Sequence, residues 1–312
     1  MTTPNEVAAP NGVSSATGNI YDLGYRGYDG PRLGRVTVLW GLLRQTLREA
    51  FGIGRGGRAK IAPFILLALA IFPAVIAIAL RALAAQAGAS EQFDQQVPIR
   101  HDTYQGTIGL FVMLFVGAQA PELFGRDQRY GVLPLYFSRV LTRIDYALAR
   151  TGGLFLAILI VTLTPQLLLS VGAVLAAADP ATGIGKDVPQ IPRYLAVCLL
   201  ESGVYAGVAS MIAAFTPRRA YAIAAIIAVF IIPPIIVGIL TTMSVGDTAR
   251  ILQLLSPSDV VDGVNSAVFG PINVGGQTIV AVLDGWVYLA AALAYIAGSL
   301  AIVVRRYLTV SV

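Results

Sequence analysis

Glu201 is the residue whose type and position most strongly suggest chemistry in this 312-residue sequence. It lies about 10 Å into an apolar, helical interval that begins after Arg193. An ionisable side chain at such a depth in a membrane is energetically costly, and it commonly faces a cavity or a partner. We therefore expect Glu201, with Tyr205 on the same helix face, to contact a substrate or carry a proton. The structural alternative is a pairing of Glu201 with Arg193 or with a tyrosine hydroxyl.

The remaining motifs that could support catalysis are incomplete. Gly52–Gly57 matches Gly-x-Gly-x-x-Gly, but a predicted helix precedes it, so the strand of a dinucleotide site is missing and a hinge is the better interpretation. Gly183–Asp187 contains a lysine but lacks the upstream glycine and the hydroxyl residue of an ATP-binding loop. His101 beside Asp102 is the only histidine and Cys198 the only cysteine, which favours neither a metal site nor a nucleophilic triad. We expect no enzymatic activity in this chain itself.

A second candidate site is the long charged segment from Glu122 to Arg150, which separates two apolar intervals. Its short apolar run, Leu133–Phe137, lies between two clusters of charged residues. We predict that this run forms a short helix at the membrane surface, suited to insertion into a groove on another protein. An ordinary interfacial helix is the alternative. The residues that the docking hypothesis assigns to this segment are Arg126, Asp127, Arg129, Leu135, Tyr136, Phe137, Arg139 and Arg143.

The composition indicates which elements must position these residues. Hydrophobic residues make up 56% of the chain and charged residues only 12%, and the mean hydropathy is +0.73. Soluble globular domains carry about 25% charged residues, so the composition argues against a soluble fold, and disorder requires low hydrophobicity. The net charge of +5 could suggest nucleic acid, but the basic residues lie mostly between the apolar intervals. We expect a protein embedded in a lipid bilayer, with no nucleic-acid partner.

Six charge-poor intervals are long enough to cross a membrane as helices, which need about 20 residues each. They are Ile61–Leu80, Thr103–Pro121, Thr151–Ala178, the interval between Arg193 and Arg218, Ala220–Gly246 and Gly285–Val304. If the amino terminus is cytoplasmic, 17 of the 22 basic residues fall on the inner side, so the positive-inside rule predicts both termini in the cytoplasm. The predicted fold class is an all-α, polytopic membrane protein with six transmembrane helices.

The part of the chain before the first span divides into a tail and an amphipathic helix. The tail contains a strap rich in Tyr, Gly and Arg, Tyr21–Arg32, which is either a linker or an ordered docking segment. Arg35–Phe51 has the spacing of an amphipathic helix, and we expect its apolar stripe to lie among acyl chains in the inner interface. The predicted divisions of the chain are the tail (1–34), the interfacial helix and hinge (35–60), the six-span domain (61–304) and a cytoplasmic C-terminal tail (305–312).

Two further patterns concern the packing of the helices. Gly203 and Gly207 are four residues apart on one helix face, a spacing that allows a neighbouring helix to approach closely. The long outer segment between Asp247 and Val280 carries apolar residues in two groups. We predict that these groups form two short, half-buried helices in the outer leaflet, which could close an exit path or brace the last two spans.

The segment between the second and third spans resembles that of the permease subunits of type-two ABC exporters. In that family a charged cluster, Gly-x-Leu, an apolar run and Ser-Arg-Pro-Leu-x-Arg follow one another, and here Val140 replaces the proline. The strap before the interfacial helix and a Leu-Leu-Ser-Pro sequence in the last outer loop are also similar to this family. The residues that carry the resemblance are Arg126–Arg129, Gly131–Leu133, Leu135–Phe137, Ser138–Arg143 and Leu254–Pro257.

This resemblance implies the membrane subunit of an ATP-driven exporter in the bacterial plasma membrane. Two copies, or one copy and a related permease, would form the pathway, and two copies of an ABC ATP-binding subunit would dock from the cytoplasm. ATP and magnesium would bind to those partner subunits, and this chain would hold no cofactor. The few charges within the spans favour an apolar or amphipathic substrate such as a drug or a lipid. A proton-coupled secondary carrier that uses Glu201 and a non-transporting membrane scaffold remain as alternatives.

Overall fold

A computed structural model describes most of the chain. It covers Gly30 and residues 34–88, 99–137, 141–177, 179–243, 251–274, 277–279 and 282–309. The described helices and strands all belong to one compact unit, Gly34–Val312. Apart from Gly30, the predicted strap Tyr21–Arg32 lies outside the described residues, as does Arg139 of the predicted docking segment.

The described elements are mostly helices. In chain order they are α1 Arg35–Ala50, α2 Arg58–Gln86, α3 Tyr104–Arg129, α4 Leu133–Phe137, α5 Arg143–Leu175, α6 Pro180–Asp187, α7 Ile191–Phe215, α8 Arg219–Thr242, α9 Pro257–Phe269 and α10 Gly285–Thr309. Six helices among the described residues are long and apolar enough to cross a membrane. Five of them are α2, α3, α5, α8 and α10, and the sixth runs continuously from Ala181 in α6 to the end of α7 at Phe215. The prediction of an all-α membrane protein with six spans, a preceding amphipathic helix and a short helix between spans two and three is confirmed.

The segment between α8 and α10, which was predicted to lie on the outer side, is more varied than the predicted pair of helices. It contains a short 3-10 turn, Gln253–Leu255, followed by α9, which begins at a proline after the capping residue Ser256. A small antiparallel hairpin then follows, β1 Ile272–Val274 and β2 Gln277–Ile279, with Ile272 opposite Ile279. The hairpin was not predicted, because strands of three residues are too short to show a period of alternating residues.

The transmembrane helices form a buried group and a peripheral group. Helices α3 and α7 are the most buried, and α5 contacts α1, α2, α3, α7 and α10 along its 33 residues. Helices α2, α8 and α10 expose most of their apolar side chains, as expected for helices that face lipid. The helix α5 begins at Arg143, earlier than the predicted span, because Thr142 and Asp145 form a capping box at its amino end.

Small residues determine where helices approach each other closely. The predicted Gly-x-x-x-Gly face of α7 packs against α10, where a Cβ atom on Gly203 would lie 2.7 Å from Ile296 Cδ1 and one on Gly207 would overlap Ser299. On α5, Gly153 plays the same role toward α1, because a Cβ atom there would lie 2.5 Å from Thr46 Cβ. The contact at Gly153 therefore requires the absence of a side chain, and the two glycines of α7 allow α10 to approach closely.

The amphipathic helix α1 packs on the bundle as well as presenting apolar residues outward. Its buried face, Leu42, Thr46 and Ala50, lies against α5, whereas Val36 and Trp40 are exposed. This corrects the expectation that the apolar stripe lies among acyl chains alone. The reason is that the two glycines at the start of α5 leave a groove in which α1 can lie.

Candidate functional site

A buried arginine joins three helices at the end of the bundle that carries α1, called the α1 end below. Arg150 of α5 has a side chain only 1% exposed. Its Nη1 donates to Glu49 Oε2 of α1 at 2.7 Å and to Thr46 Oγ1 at 3.4 Å, and its Nη2 donates to Asp127 Oδ2 of α3. Removing one partner from a buried ion pair is strongly destabilising, so these contacts fix α1 and α3 to α5.

Two tyrosines extend this network to the last span. The Tyr146 hydroxyl donates to Asp127 Oδ2 at 2.7 Å, and its ring contacts Tyr307 of α10 edge-on with centroids 5.0 Å apart. Gln128 Nε2 of α3 donates to the Tyr307 hydroxyl at 3.3 Å and to the carbonyl oxygen of Ala214 at 3.0 Å. The carboxyl ends of α3, α7 and α10 therefore meet the amino end of α5 in one connected polar and aromatic cluster.

The short helix α4 is attached to the same cluster by aromatic contacts. The rings of Tyr136 and Phe137 lie 5.4 Å and 5.9 Å from the ring of Tyr146. The guanidinium carbon of Arg143 lies over the Phe137 ring, 5.6 Å from the ring centroid. Arg143 Nη1 donates to the carbonyl oxygen of Leu308 at 2.7 Å. A displacement of α4 would therefore be transmitted directly to α5 and α10.

Two further ion pairs fasten neighbouring segments at the α1 end. Arg35, at the start of α1, donates from Nε and Nη2 to the two carboxylate oxygens of Asp145, both at 2.8 Å. This hydrogen bond raises the pKa of the Arg35 guanidinium. Glu122 of α3 accepts from Arg55 at 3.4 Å and from Arg219 of α8 at 2.6 Å. The loop after α1 and the start of α8 are thus both held to α3.

Glu49 has an electrostatic environment that favours its ionised form. Burial alone would raise the pKa of its carboxyl, but the charge of Arg150 and the hydrogen bond from it outweigh burial and lower the pKa. Gln45, one turn earlier on α1, also donates to Glu49 at 2.9 Å. The attachment of α1 through Arg150 is therefore that of an ion pair at neutral pH.

The predicted docking residues divide into an exposed and an internal set. Arg126, Arg129 and Leu135 are exposed. The exposed apolar surface of the segment consists of Leu135, which is 68% exposed, and Tyr130, which is 72% exposed and was not among the predicted residues. Arg126 and Arg129 lie at the last turn of α3. These side chains can contact another protein without any rearrangement.

The internal set differs from the expectation. Asp127 was expected to be one of the charged flanks at the surface, but it is buried in the ion pair with Arg150. Tyr136 and Phe137 were expected to enter a groove on a partner, but they are half-buried against Tyr146 of their own chain. The sequence pattern showed that α4 is apolar, but not which of its faces turns inward.

Sequence reasoning missed the residues that hold the site together. Arg150 was used only to mark the end of an apolar interval, and Glu49 only as a polar position of an amphipathic helix. Tyr146 and Tyr307 fitted the aromatic belts that occur at membrane interfaces. A usable signal was present, however, because Arg150 adjoins the predicted start of the third span, where a buried charge needs a partner.

Glu201 is a buried acid in the interior of the bundle. Its side chain is 2% exposed, and its Oε2 has no hydrogen-bond partner among the described residues. The predicted pairing with Arg193 is not found, since Arg193 Nη1 contacts Gln190 Oε1 at 3.4 Å. Tyr205, one turn below, packs on Phe230 of α8 with centroids 4.4 Å apart. Both predicted residues thus belong to the interior between α7 and α8.

The helix α9 adds acidic residues near Glu201. Asp262 interacts electrostatically with Glu201, and the Ser258 hydroxyl donates to the carbonyl oxygen of Phe230 at 3.0 Å. Burial, followed by the charge of Asp259, raises the pKa of Asp262 to about 7. Within the part of the chain that the structure describes, no group of His, Cys, Asp or Glu is arranged to hold a metal ion. The raised pKa of Asp262 means that this residue can hold a proton near neutral pH.

The fold and the network together define a multi-pass membrane protein with an ion-paired assembly at the α1 end. Comparison of the sequence with protein-family models gives no match, and comparison with curated proteins gives none either. The functional argument therefore rests on the geometry of the chain itself.

Proposed function

We propose that this chain is the membrane-spanning permease subunit of an ATP-driven ABC exporter in the bacterial plasma membrane. It moves an apolar or amphipathic substrate outward, using ATP and magnesium bound to a separate ATP-binding subunit present in two copies. A second copy of this chain, or a related permease, completes the pathway. The resemblance of the segment between spans two and three to this family first suggested the function.

The observation that carries this proposal is the attachment of α4. The helix lies between the second and third spans, and Tyr136 and Phe137 pack on Tyr146 while Arg143 holds it to the end of α10. Through Tyr146 and Asp127 the same cluster reaches Arg150, and from there α1 and α3. A passive connecting loop needs no such anchoring, whereas a segment that transmits force from a partner to the spans does.

The charge distribution supports a cytoplasmic location for the α1 end. Most basic residues of the sequence lie in the segments that converge there, and the positive-inside rule assigns such segments to the cytoplasm. Both termini are then cytoplasmic. The exposed docking surface consists of Tyr130, Leu135, Arg126 and Arg129, and it is available to a cytoplasmic ATP-binding subunit.

Copurification with an ABC ATP-binding subunit encoded by a neighbouring gene tests the proposal. The double variant Tyr130→Ala, Leu135→Ala should weaken the association by about 2 kcal/mol or more, the size expected for buried interface anchors. Tyr136→Ala and Phe137→Ala should copurify with more of the ATP-binding subunit than this double variant does. ATP hydrolysis should nevertheless drive less transport in them, because both changes loosen α4 from its anchor. Leu175→Ala, an exposed leucine at the far end of α5, is the matched control.

The result that would contradict the proposal is equally specific. If the ATP-binding subunit copurifies equally with all variants and ATP hydrolysis stays coupled to transport, this surface is not the docking site. Failure of any ATP-binding subunit to associate would favour a scaffold, or a carrier that works alone.

A proton-coupled secondary carrier is the second candidate, because Glu201 is buried with an unpartnered oxygen beside Asp262. The two functions differ in their energy source. A carrier in proteoliposomes would transport under an imposed pH gradient without any ATPase, and Glu201→Gln would abolish this transport. An exporter would require the ATP-binding subunit and hydrolysable ATP.

A further inference from the structure

A large cavity lies at the end of the bundle opposite α1. Its volume is about 740 Å³, within the range of roughly 300–1,000 Å³ that is typical of small-molecule sites. The ends of α2 and α5, the helix α6 and the starts of α3 and α7 surround it. Apolar side chains, including Leu169 and Phe269, form part of its wall. The charged lining residues are Arg81, Arg100, Lys186, Arg193, Asp102, Asp179 and Asp187.

Each acidic residue of this lining is already engaged within the protein. Asp102 accepts from Arg100 at 3.0 Å, and Asp187 lies 3.1 Å from the His101 ring. Asp179 caps the amino end of α6, accepting from the Thr182 hydroxyl at 2.9 Å and from two backbone amides, and these hydrogen bonds lower the pKa of its carboxyl. The four basic and three acidic residues of the lining leave it with a formal charge of +1, and the contacts of the carboxylates hold them in place within the protein.

Two of the four basic lining residues are candidates for contacting an anion. Lys186 and Arg193 form no ion pair with a carboxylate in the described part of the chain, and Arg193 contacts only the neutral amide of Gln190 there. Both side chains line the cavity and are exposed. A lysine supplies a compact charge and an arginine a planar fork, a combination that suits phosphate oxygens.

The floor of the cavity is ordered by the single histidine. His101 Nδ1 lies 2.6 Å from Gln166 Oε1 and its Nε2 lies 3.1 Å from Asp187 Oδ1. Gln166 Nε2 donates to the His101 carbonyl oxygen at 3.2 Å, which fixes the orientation of the amide, and the ring stacks on Tyr194 at 5.0 Å. In its neutral form the His101 ring donates to one of these two acceptors, and its contacts with Gln166 and Tyr194 fix the orientation of the ring.

We propose that this cavity binds the phosphate group of an anionic ligand, with Lys186 and Arg193 as its principal contacts and the apolar wall against the rest of the molecule. The phosphate can come from a phospholipid headgroup or from free phosphate in solution. The proposal goes beyond the exporter function and does not depend on it, because binding here requires no ATP-binding subunit.

The test uses the purified full-length chain in a neutral detergent, with bound ligand measured by native mass spectrometry. The probes are short-chain phosphatidylglycerol, phosphatidylcholine of the same chain length and inorganic phosphate. The double variant Lys186→Gln, Arg193→Gln should bind phosphatidylglycerol roughly thirtyfold more weakly, since each surface cation contributes roughly a factor of five in affinity. The control Arg44→Gln, Arg48→Gln removes the same charge from exposed positions of α1 and should stay within about twofold of the wild type.

A second variant tests the cavity without changing charge. Ala173 lies in the wall, and Ala173→Phe should fill part of the space and weaken phosphatidylglycerol binding severalfold while leaving inorganic phosphate binding unchanged. Equal melting temperatures of all variants would exclude misfolding as the cause of any loss.

Each outcome bears on the proposal directly. Preference for phosphatidylglycerol without competition by inorganic phosphate would identify the lipid headgroup, and effective competition would identify free phosphate. Equal loss in both double variants would show only nonspecific attraction and would overturn the proposal. So would unchanged binding in the cavity variants, or no binding of either anionic probe by the wild type.

Discussion

Replacement of Arg150 by methionine removes the charge that joins α1, α3 and α5 while keeping most of the side-chain volume. Breaking a buried ion pair by deleting one partner typically costs about 3–5 kcal/mol, because the remaining charge is left without compensation. Two features reduce the cost here. Asp127 keeps the hydrogen bond from Tyr146 at 2.7 Å, and the Glu49 side chain, 19% exposed, can turn toward water. We therefore expect Arg150→Met to lower the free energy of unfolding by about 3 kcal/mol.

The assay is equilibrium unfolding of the purified chain in mixed micelles, compared with a matched control. Arg126→Met removes an exposed arginine from the last turn of α3 and should change stability by less than about 0.5 kcal/mol. The double variant Arg150→Met, Asp127→Asn should recover at least half of the loss, since asparagine carries no charge and still accepts from Tyr146. A loss below about 1 kcal/mol in Arg150→Met, or no recovery in the double variant, would refute the reasoning.

Two further predictions concern the pH dependence and the packing of the bundle. The pKa of Glu49 is lowered below its ordinary value of 4.5, so its pairing with Arg150 stabilises α1 above that pH and is lost as the pH falls through the lowered value. Hydrogen exchange in α1 should therefore increase on acidification, beyond the change in intrinsic exchange, and should do so less in Glu49→Gln. On α7, Gly207→Leu should lower the unfolding free energy by about 1–3 kcal/mol through overlap with Ser299, as measured in the same micelle assay. Gly298→Leu on α10, where a Cβ atom meets nothing within 4 Å, should have little effect.

The spans could be predicted from the sequence because their signal is one-dimensional. A charge-free interval of about 20 residues is long enough to cross the hydrocarbon core whatever its neighbours are. The same holds for the Gly-x-x-x-Gly face of α7, whose close contact with α10 follows from the absence of two side chains. Local chemistry fixed these features, so no knowledge of the tertiary arrangement was needed.

The site could be predicted only in part, because its contacts depend on how the helices are rotated. Arg150 and Glu49 are 101 positions apart, and nothing local indicates that they meet. Likewise, the apolar run of α4 predicts a short helix, but the choice between Tyr136 and Leu135 as the exposed residue depends on where Tyr146 lies. An apolar run on one face of a short helix is compatible with burial in its own chain or in a partner.

The helix α5 contacts both proposed sites, as α3 and α7 also do, and its placement has a mechanical consequence. Its amino end holds Arg143 and Arg150 of the cluster that anchors α4, and its carboxyl end carries Leu169 in the wall of the cavity. A helix of 33 residues spans about 50 Å, and Pro165 is the position where it can bend most easily, because proline removes a backbone hydrogen bond. Movement of α4 by a partner would tilt the amino part of α5 as one body with α1 and α3, since Arg150 ties them together. The ease of bending at Pro165 would then determine how much of that tilt reaches the cavity. The charged residues at the amino end of α5 would transmit the movement, and Pro165 would set how far it extends along the helix.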